Sequence, residues 1–158
     1  MKTSKKANFI ALAACGVIAT ANIAASQVKS SSNKSVVARH AQMQMIGYHI
    51  GVLGAVAKGE MDYDTAMVDA AAKNMAALAA MDRATLWIEG TEQGTVDGSR
   101  AKAEIWTDPA GFDASFASLE KASMALVGAA DAAAVGAGLR DLGGACKACH
   151  EKYRGPEN

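Results

Sequence analysis

The pentapeptide Cys146-Lys147-Ala148-Cys149-His150, close to the end of a 158-residue chain, constrains the fold more than any other feature of this sequence. C-x-x-C-H is the attachment pattern of a c-type haem. Its two thiols add to the porphyrin vinyl groups, and the histidine that follows lies under the iron as an axial ligand. A chain carrying this pattern must leave a flat slot beside it, and the remaining elements must wall that slot. Two other chemistries use C-x-x-C. A thioredoxin-like redox pair needs a βαβ setting, whereas the sequence around the motif has helical periodicity and no strand runs. A zinc site needs about four ligands, and outside the motif the chain adds only Cys15, His40 and His49.

The motif falls on a helix. Val135, Leu139, Leu142, Cys146, Cys149 and Tyr153 recur at alternating steps of four and three in a run from about Ala132 to Tyr153, which is the seam pattern of helix bundles. Residues three or four apart share a helix side, so both sulfurs and His150 face the same way. A haem there lies flat against this helix, inside the bundle, and another helix must supply the opposite wall.

Three further helical runs precede it. The first spans about Ser35 to Lys58, with Met43, Ile46, Gly47, Ile50, Leu53, Gly54 and Ala57 on one face and Gly59 as its stop. The second spans about Asp64 to Met81, with Met67, Ala71, Met75 and Leu78 in register. The third starts at Asp108-Pro109, a polar cap followed by proline, and turns Phe112, Phe116, Leu119, Ser123, Leu126 and Ala130 inward. The pattern predicts an all-α, antiparallel four-helix bundle with a covalently bound haem. Between the second and third helices, Asp82 to Thr107 forms a long loop with Trp87 and Trp106. Such a loop in a small domain is functional or packed over something: it covers a haem edge, or it is a crossover with two aromatic anchors.

The first helix has a face suited to the opposite wall. Gly47, Gly51 and Gly54 form a stripe without side chains, against which a ring or a neighbouring helix can pack. Met43, one turn earlier, is either a sixth ligand to iron or a core-filling methionine; Met/His ligation raises the potential and suits electron transfer. Arg39, one turn before that, pairs with a haem propionate or is a solvated arginine. Arg154, four residues after His150, lies over the proximal face. His40 and His49 fall off the Met43 face and read as surface or rim histidines.

Residues 1–26 read as a cleaved export signal: Lys2, Lys5 and Lys6, then an apolar run, then small residues at Ala24, Ala25 and Ser26. The expected location is periplasmic. Leu12-Ala13-Ala14-Cys15 offers a second reading, a lipid anchor through Cys15. Residues 27–35 read as a polar tether, and residues 36–158 as one domain. Sixteen basic and sixteen acidic residues balance, and losing the signal leaves the remainder slightly acidic, which argues against a nucleic-acid partner.

The whole resembles the class II c-type cytochromes, the cytochrome c′ family. The resemblance rests on Arg39-x-x-x-Met43-x-x-x-Gly47, Gly54-Ala55-Val56-Ala57-Lys58-Gly59-Glu60, Gly90-Thr91-Glu92, Glu104-Ile105-Trp106 and, most specifically, Cys146 through Arg154. It implies one covalent haem c held by Cys146 and Cys149, with His150 proximal. It implies Arg39 near a propionate, with His40 standing where glutamine is frequent, Thr91 and Glu92 near the haem, and Arg154 as a proximal-side base. At Met43 the family divides. Low-spin relatives use methionine there as the sixth ligand and serve as electron carriers for redox partner proteins. High-spin members leave the iron five-coordinate and bind small gases, nitric oxide or carbon monoxide. Members are commonly homodimers through the first two helices. An enzyme such as a peroxidase needs distal acid–base groups, and that wall offers methionine and glycine, so no catalytic role is expected.

Overall fold

A computed structural model describes residues 31–157; the export signal and the start of the tether lie outside the described residues. Five helices follow in order: α1 (Lys34–Lys58), α2 (Thr65–Ala80), a single turn α3 (Glu104–Thr107), α4 (Pro109–Met124) and α5 (Ala132–Tyr153). Each long helix begins at a side-chain cap. Asn33 accepts from the N–H groups of Ser35 and Val36, Asp64 from Met67, Asp108 from Gly111 and Asp131 from Ala134, satisfying donors that the first turn leaves free. Because Asn33 is the cap, the last two residues of the expected tether are already helical. α1 ends at Gly59, whose φ of 73° is open to glycine at little cost.

The four long helices form a ring. α1 packs against α2 and α5, and α4 packs against the same two. α1 and α4 are therefore diagonal, and space is left between them beside α5. The far side of the ring is filled by α2, where Val68, Ala71, Ala72, Met75, Ala76 and Ala79 are buried. Alanine at four of those six positions lets the helices come close. Leu53, Val56, Val135 and Leu142 complete the core from α1 and α5, each large side chain contributing about 1.5–3 kcal/mol.

The third expected helix is shorter than its pattern. α4 stops at Met124, and the chain turns back through Gly128 at φ 77°. Ser123 and Leu126 are buried as expected, but Ala130 is exposed. Leu126 keeps its inward position from the turn, not from the helix.

The 82–107 segment has little regular structure but is well fastened. The Gly155 N–H donates to the Arg100 carbonyl at 2.7 Å and the Lys102 N–H to the Tyr153 carbonyl at 3.0 Å, so two residues of the loop pair with the last residue of α5 and the chain just beyond it. At its other end the Trp106 Nε1 donates to the Trp87 carbonyl.

Two glycines of α5 predict opposite outcomes. A Cβ on Gly138 would lie 2.4 Å from Leu126 Cδ2 and 3.0 Å from its Cγ, whereas one on Gly136 would meet only Ala57 Cβ at 3.7 Å. Gly138→Ala is expected to lose about 1–3 kcal/mol through overpacking, and Gly136→Ala to gain up to about 1 kcal/mol of helix propensity; urea unfolding of the two variants measures both.

Candidate haem pocket

The space between α1, α4 and α5 is a cavity of about 440 Å³, within the range of small-molecule and cofactor sites. α1 gives it Arg39, His40, Met43, Gly47 and Ile50; α5 gives Cys146, Cys149, His150 and Tyr153. Phe112 and Phe116 of α4 form its floor. Trp87, Ser99, Arg100 and Ile105 of the 82–107 segment roof it. The lining is chiefly apolar. Trp87 packs edge-on to Phe112 with centroids 4.8 Å apart, and Phe112 packs the same way on Phe116 and on Tyr153, each at 5.2 Å, a geometry favoured by ring quadrupoles. A Cβ on Gly47 would meet nothing within 4 Å, so the α1 wall is open at that point.

Arg39 is the most unusual group here. Its side chain is 3% exposed and has no carboxylate partner among the described residues. Nη1 donates to Thr91 Oγ1 at 2.8 Å and Nη2 to the Thr91 carbonyl at 3.1 Å, with Ser99 Oγ at 3.4 Å. Thr91 Oγ1 in turn donates to the Ile88 carbonyl, and Ser99 Oγ to the Thr91 carbonyl. The guanidinium carbon lies 4.9 Å from the Trp87 ring centroid. Burial pushes Arg39 down to about 10, the sign of a cation short of a counter-charge.

On the motif side, Cys146, Cys149 and His150 share the cavity face of α5, as their spacing requires. Burial raises both thiols above their ordinary value, the reverse of what a redox-active nucleophile needs. Burial, then Arg154 and Arg100, push His150 down. A neutral imidazole is the form that ligates metal. No group of three or more His, Cys, Asp or Glu side chains is placed to hold a metal ion among the described residues. Outside His150 a second, open recess of about 490 Å³ is bordered by Arg100, Lys147, Glu151 and Arg154.

Several placements differ from the sequence reading. His40 lines the cavity together with Met43, a correction to the expected rim position: three residues apart on α1, the two side chains share a helix side. His49 is buried on α1, edge-on to Tyr48 at 5.2 Å, and does not reach the cavity. Thr91 acts one step back, through Arg39. Glu92 does not line the cavity; its carboxylate accepts from Thr95 Oγ1. Gly51 and Gly54 do not line the cavity, so of the glycine stripe only Gly47 borders the site. Trp87, expected over a haem edge or as an aromatic anchor, lines the cavity, whereas nothing in the spacing of Ser99 ties that loop residue to a helix face.

Comparison with known proteins now bears on this geometry. The family model described as Cytochrome C′ matches residues 34–154. The chain belongs to the cytochrome c′ family. A cytochrome c′ of Cereibacter sphaeroides is 35% identical over 136 residues, covering 85% of this chain and 91% of that protein. A cytochrome c-556 of Agrobacterium tumefaciens is 37% identical over 119 residues, covering 74% and 91%. The solved cytochrome c′ from Rhodobacter spheroides superposes with a TM-score of 0.72 at 36% identity, covering 78% of this chain and 96% of that one. Cytochromes c′ are four-helix bundles with a covalent haem c, and this chain is a monohaem c-type cytochrome.

The residues present fit that group. A haem brings two carboxylates on an otherwise apolar ring. The cytochrome c′ cavity has an aromatic floor and basic side chains at Arg39, His40, Arg100, His150 and Arg154, and no Asp or Glu in its lining. Trp87 Nε1 is a buried donor without an acceptor.

One acidic residue outside the cavity holds α5 in register. Asp108 caps α4 and its Oδ2 accepts from Tyr153 Oη at 2.8 Å and from Lys152 Nζ at 2.5 Å. Lys152, then Tyr153 and the Gly111 N–H, lower its carboxyl from 3.8 to about 2. A carboxyl depressed on folding stabilises above its unfolded value, and the contribution is lost as pH falls through the folded value. The loss therefore falls between about pH 4 and about pH 2. Asp108→Asn should flatten that part of the stability-against-pH curve while leaving the His range unchanged, measured by thermal melting across the acid range.

Proposed function

We propose that this cytochrome is an exported, periplasmic electron carrier. The observation that carries the reading is the pairing of Met43 with His150 across one apolar cavity, with Gly47 leaving room beside the thioether. In this reading Cys146 and Cys149 hold the haem by thioether bonds. His150 supplies the proximal nitrogen, with burial, then Arg154 and Arg100, favouring its neutral form. Arg39, positioned by Thr91 and Ser99, binds a haem carboxylate, and Met43 supplies a sixth ligand. The haem, when bound, exchanges one electron between ferric and ferrous iron. The chain's part is to exclude water, fix the ring and keep its ligation constant in both oxidation states. Redox partner proteins would deliver and accept that electron. Glu92 has only an indirect role, through the loop that carries Thr91.

A second reading has its own support. A cytochrome c′ variant from Alcaligenes xylosoxidans, 30% identical with a TM-score of 0.64, is described as a nitric oxide complex, and another solved cytochrome c′ as showing ligand-controlled dimer dissociation. If Met43 stays unligated, the same cavity becomes a pocket for nitric oxide or carbon monoxide. Val37, Met45 and Tyr48 are exposed along α1, an apolar stripe suited to a homodimer through α1 and α2. Neither reading makes the protein an enzyme.

Two measurements test this. Absorption spectra of the wild-type holoprotein should be low-spin in both oxidation states and indifferent to carbon monoxide, and Met43→Ala should convert them to high-spin with carbon monoxide binding; a high-spin wild type would favour the gas-binding reading instead. Acid–acetone extraction should leave haem on the wild-type chain and release it completely from the Cys146→Ser, Cys149→Ser double variant.

A further inference from the structure

The cavity rim holds an ionisable side chain that the proposed function does not use. His40 borders the cavity beside Ser99 and Arg100. The Gly98 backbone beside its ring favours the protonated form, in which both nitrogens donate, whereas the neutral ring carries one proton. The second nitrogen remains to take up a proton. The charged groups facing it are all basic. Arg39 precedes it on α1, Arg100 comes from the roof, and His150 and Arg154 of α5 border the same cavity. α4 contributes no titratable group to the lining. Burial, followed by Arg39 and Arg100, holds the imidazole below its ordinary value. A carboxylate brought into this basic surround would reverse that direction, because an opposite charge nearby favours the protonated form.

We propose that His40 is a proton-linked anchor for a haem carboxylate, so that reduction of the iron is accompanied by proton uptake at this imidazole. The inference rests on the haem occupying the cavity, and it does not depend on which group fills the sixth position. The accounting is one electron in, from a redox partner or an electrode, and up to one proton in, from solvent to the free ring nitrogen. The cavity's total charge then changes little on reduction. Ferric haem carries one more positive charge than ferrous haem. At an effective dielectric constant of about 20, removing a unit charge about 10 Å away strengthens proton binding roughly tenfold. His40 is therefore more basic in the reduced protein. The midpoint potential must fall as pH rises between the oxidised-state and reduced-state pKa values of His40, and run flat outside that interval.

The test is the midpoint potential of the holoprotein from about pH 5 to pH 8, the range in which histidine titrates, for wild type and His40→Gln. Glutamine keeps a hydrogen-bonding group but cannot titrate. A wild-type slope that disappears in His40→Gln is expected. A flat wild type, or a slope retained in the variant, overturns the inference, since the haem carboxylates or His150 would then carry any proton coupling. If the variant fails to hold haem, labelled-histidine NMR of the wild type decides: the His40 titration should move to higher pH on reduction, and identical titrations in both states overturn the proposal. Loss of the haem reading itself would be seen separately, as a purified wild-type protein with no Soret band.

Discussion

Arg39 is a full positive charge inside an apolar bundle, and its needs organise the upper half of the molecule. Removing a guanidinium from water without partners is costly, and the protein offsets this with Thr91, Ser99 and the face of Trp87. Those three residues belong to the 82–107 segment, so satisfying Arg39 draws that segment down over the cavity. The same movement brings Trp87 against Phe112 and sets Arg100 near His150. The protein supplies hydrogen bonds to the guanidinium but no negative charge. The site thus carries an electrostatic deficit that an anionic ligand group can fill.

A second fastening works from the opposite side. Asp108 serves two helices at once, as cap for α4 and as acceptor for Tyr153 and Lys152 of α5. The space this needs is visible at Gly111, where a Cβ would fall 2.2 Å from Asp108 Oδ2 and 2.6 Å from Tyr153 Oη. Between Asp108 below and the Arg100–Gly155 pairing above, the end of α5 has little rotational freedom. The motif's side chains are therefore aimed by contacts outside the motif.

The helices and the motif were readable in the sequence because each follows from spacing. The cap at Asp108, the stop at Gly59 and the α5 seam all act within a few residues. The reading failed where distant segments meet. Ala130 continued a helical pattern that Gly128 had already ended. His40, three residues before Met43, shares its helix side, so there the misplacement was local. Glu92 looked close to the cofactor by resemblance, yet its side chain turns to Thr95. Ser99 carried no local signal, since a loop residue's partner is set by where the loop crosses a helix.

The pairing of Arg100 with Gly155 also has a mechanical meaning. Gly155 lies five residues after His150, and Arg100 belongs to the same segment as Thr91 and Ser99, which hold Arg39. The roof is therefore tied at once to α1 and to the end of the helix that carries the motif. A push on either wall is passed through the roof to the other, so the two faces of the slot move as the jaws of one clamp and not as separate plates.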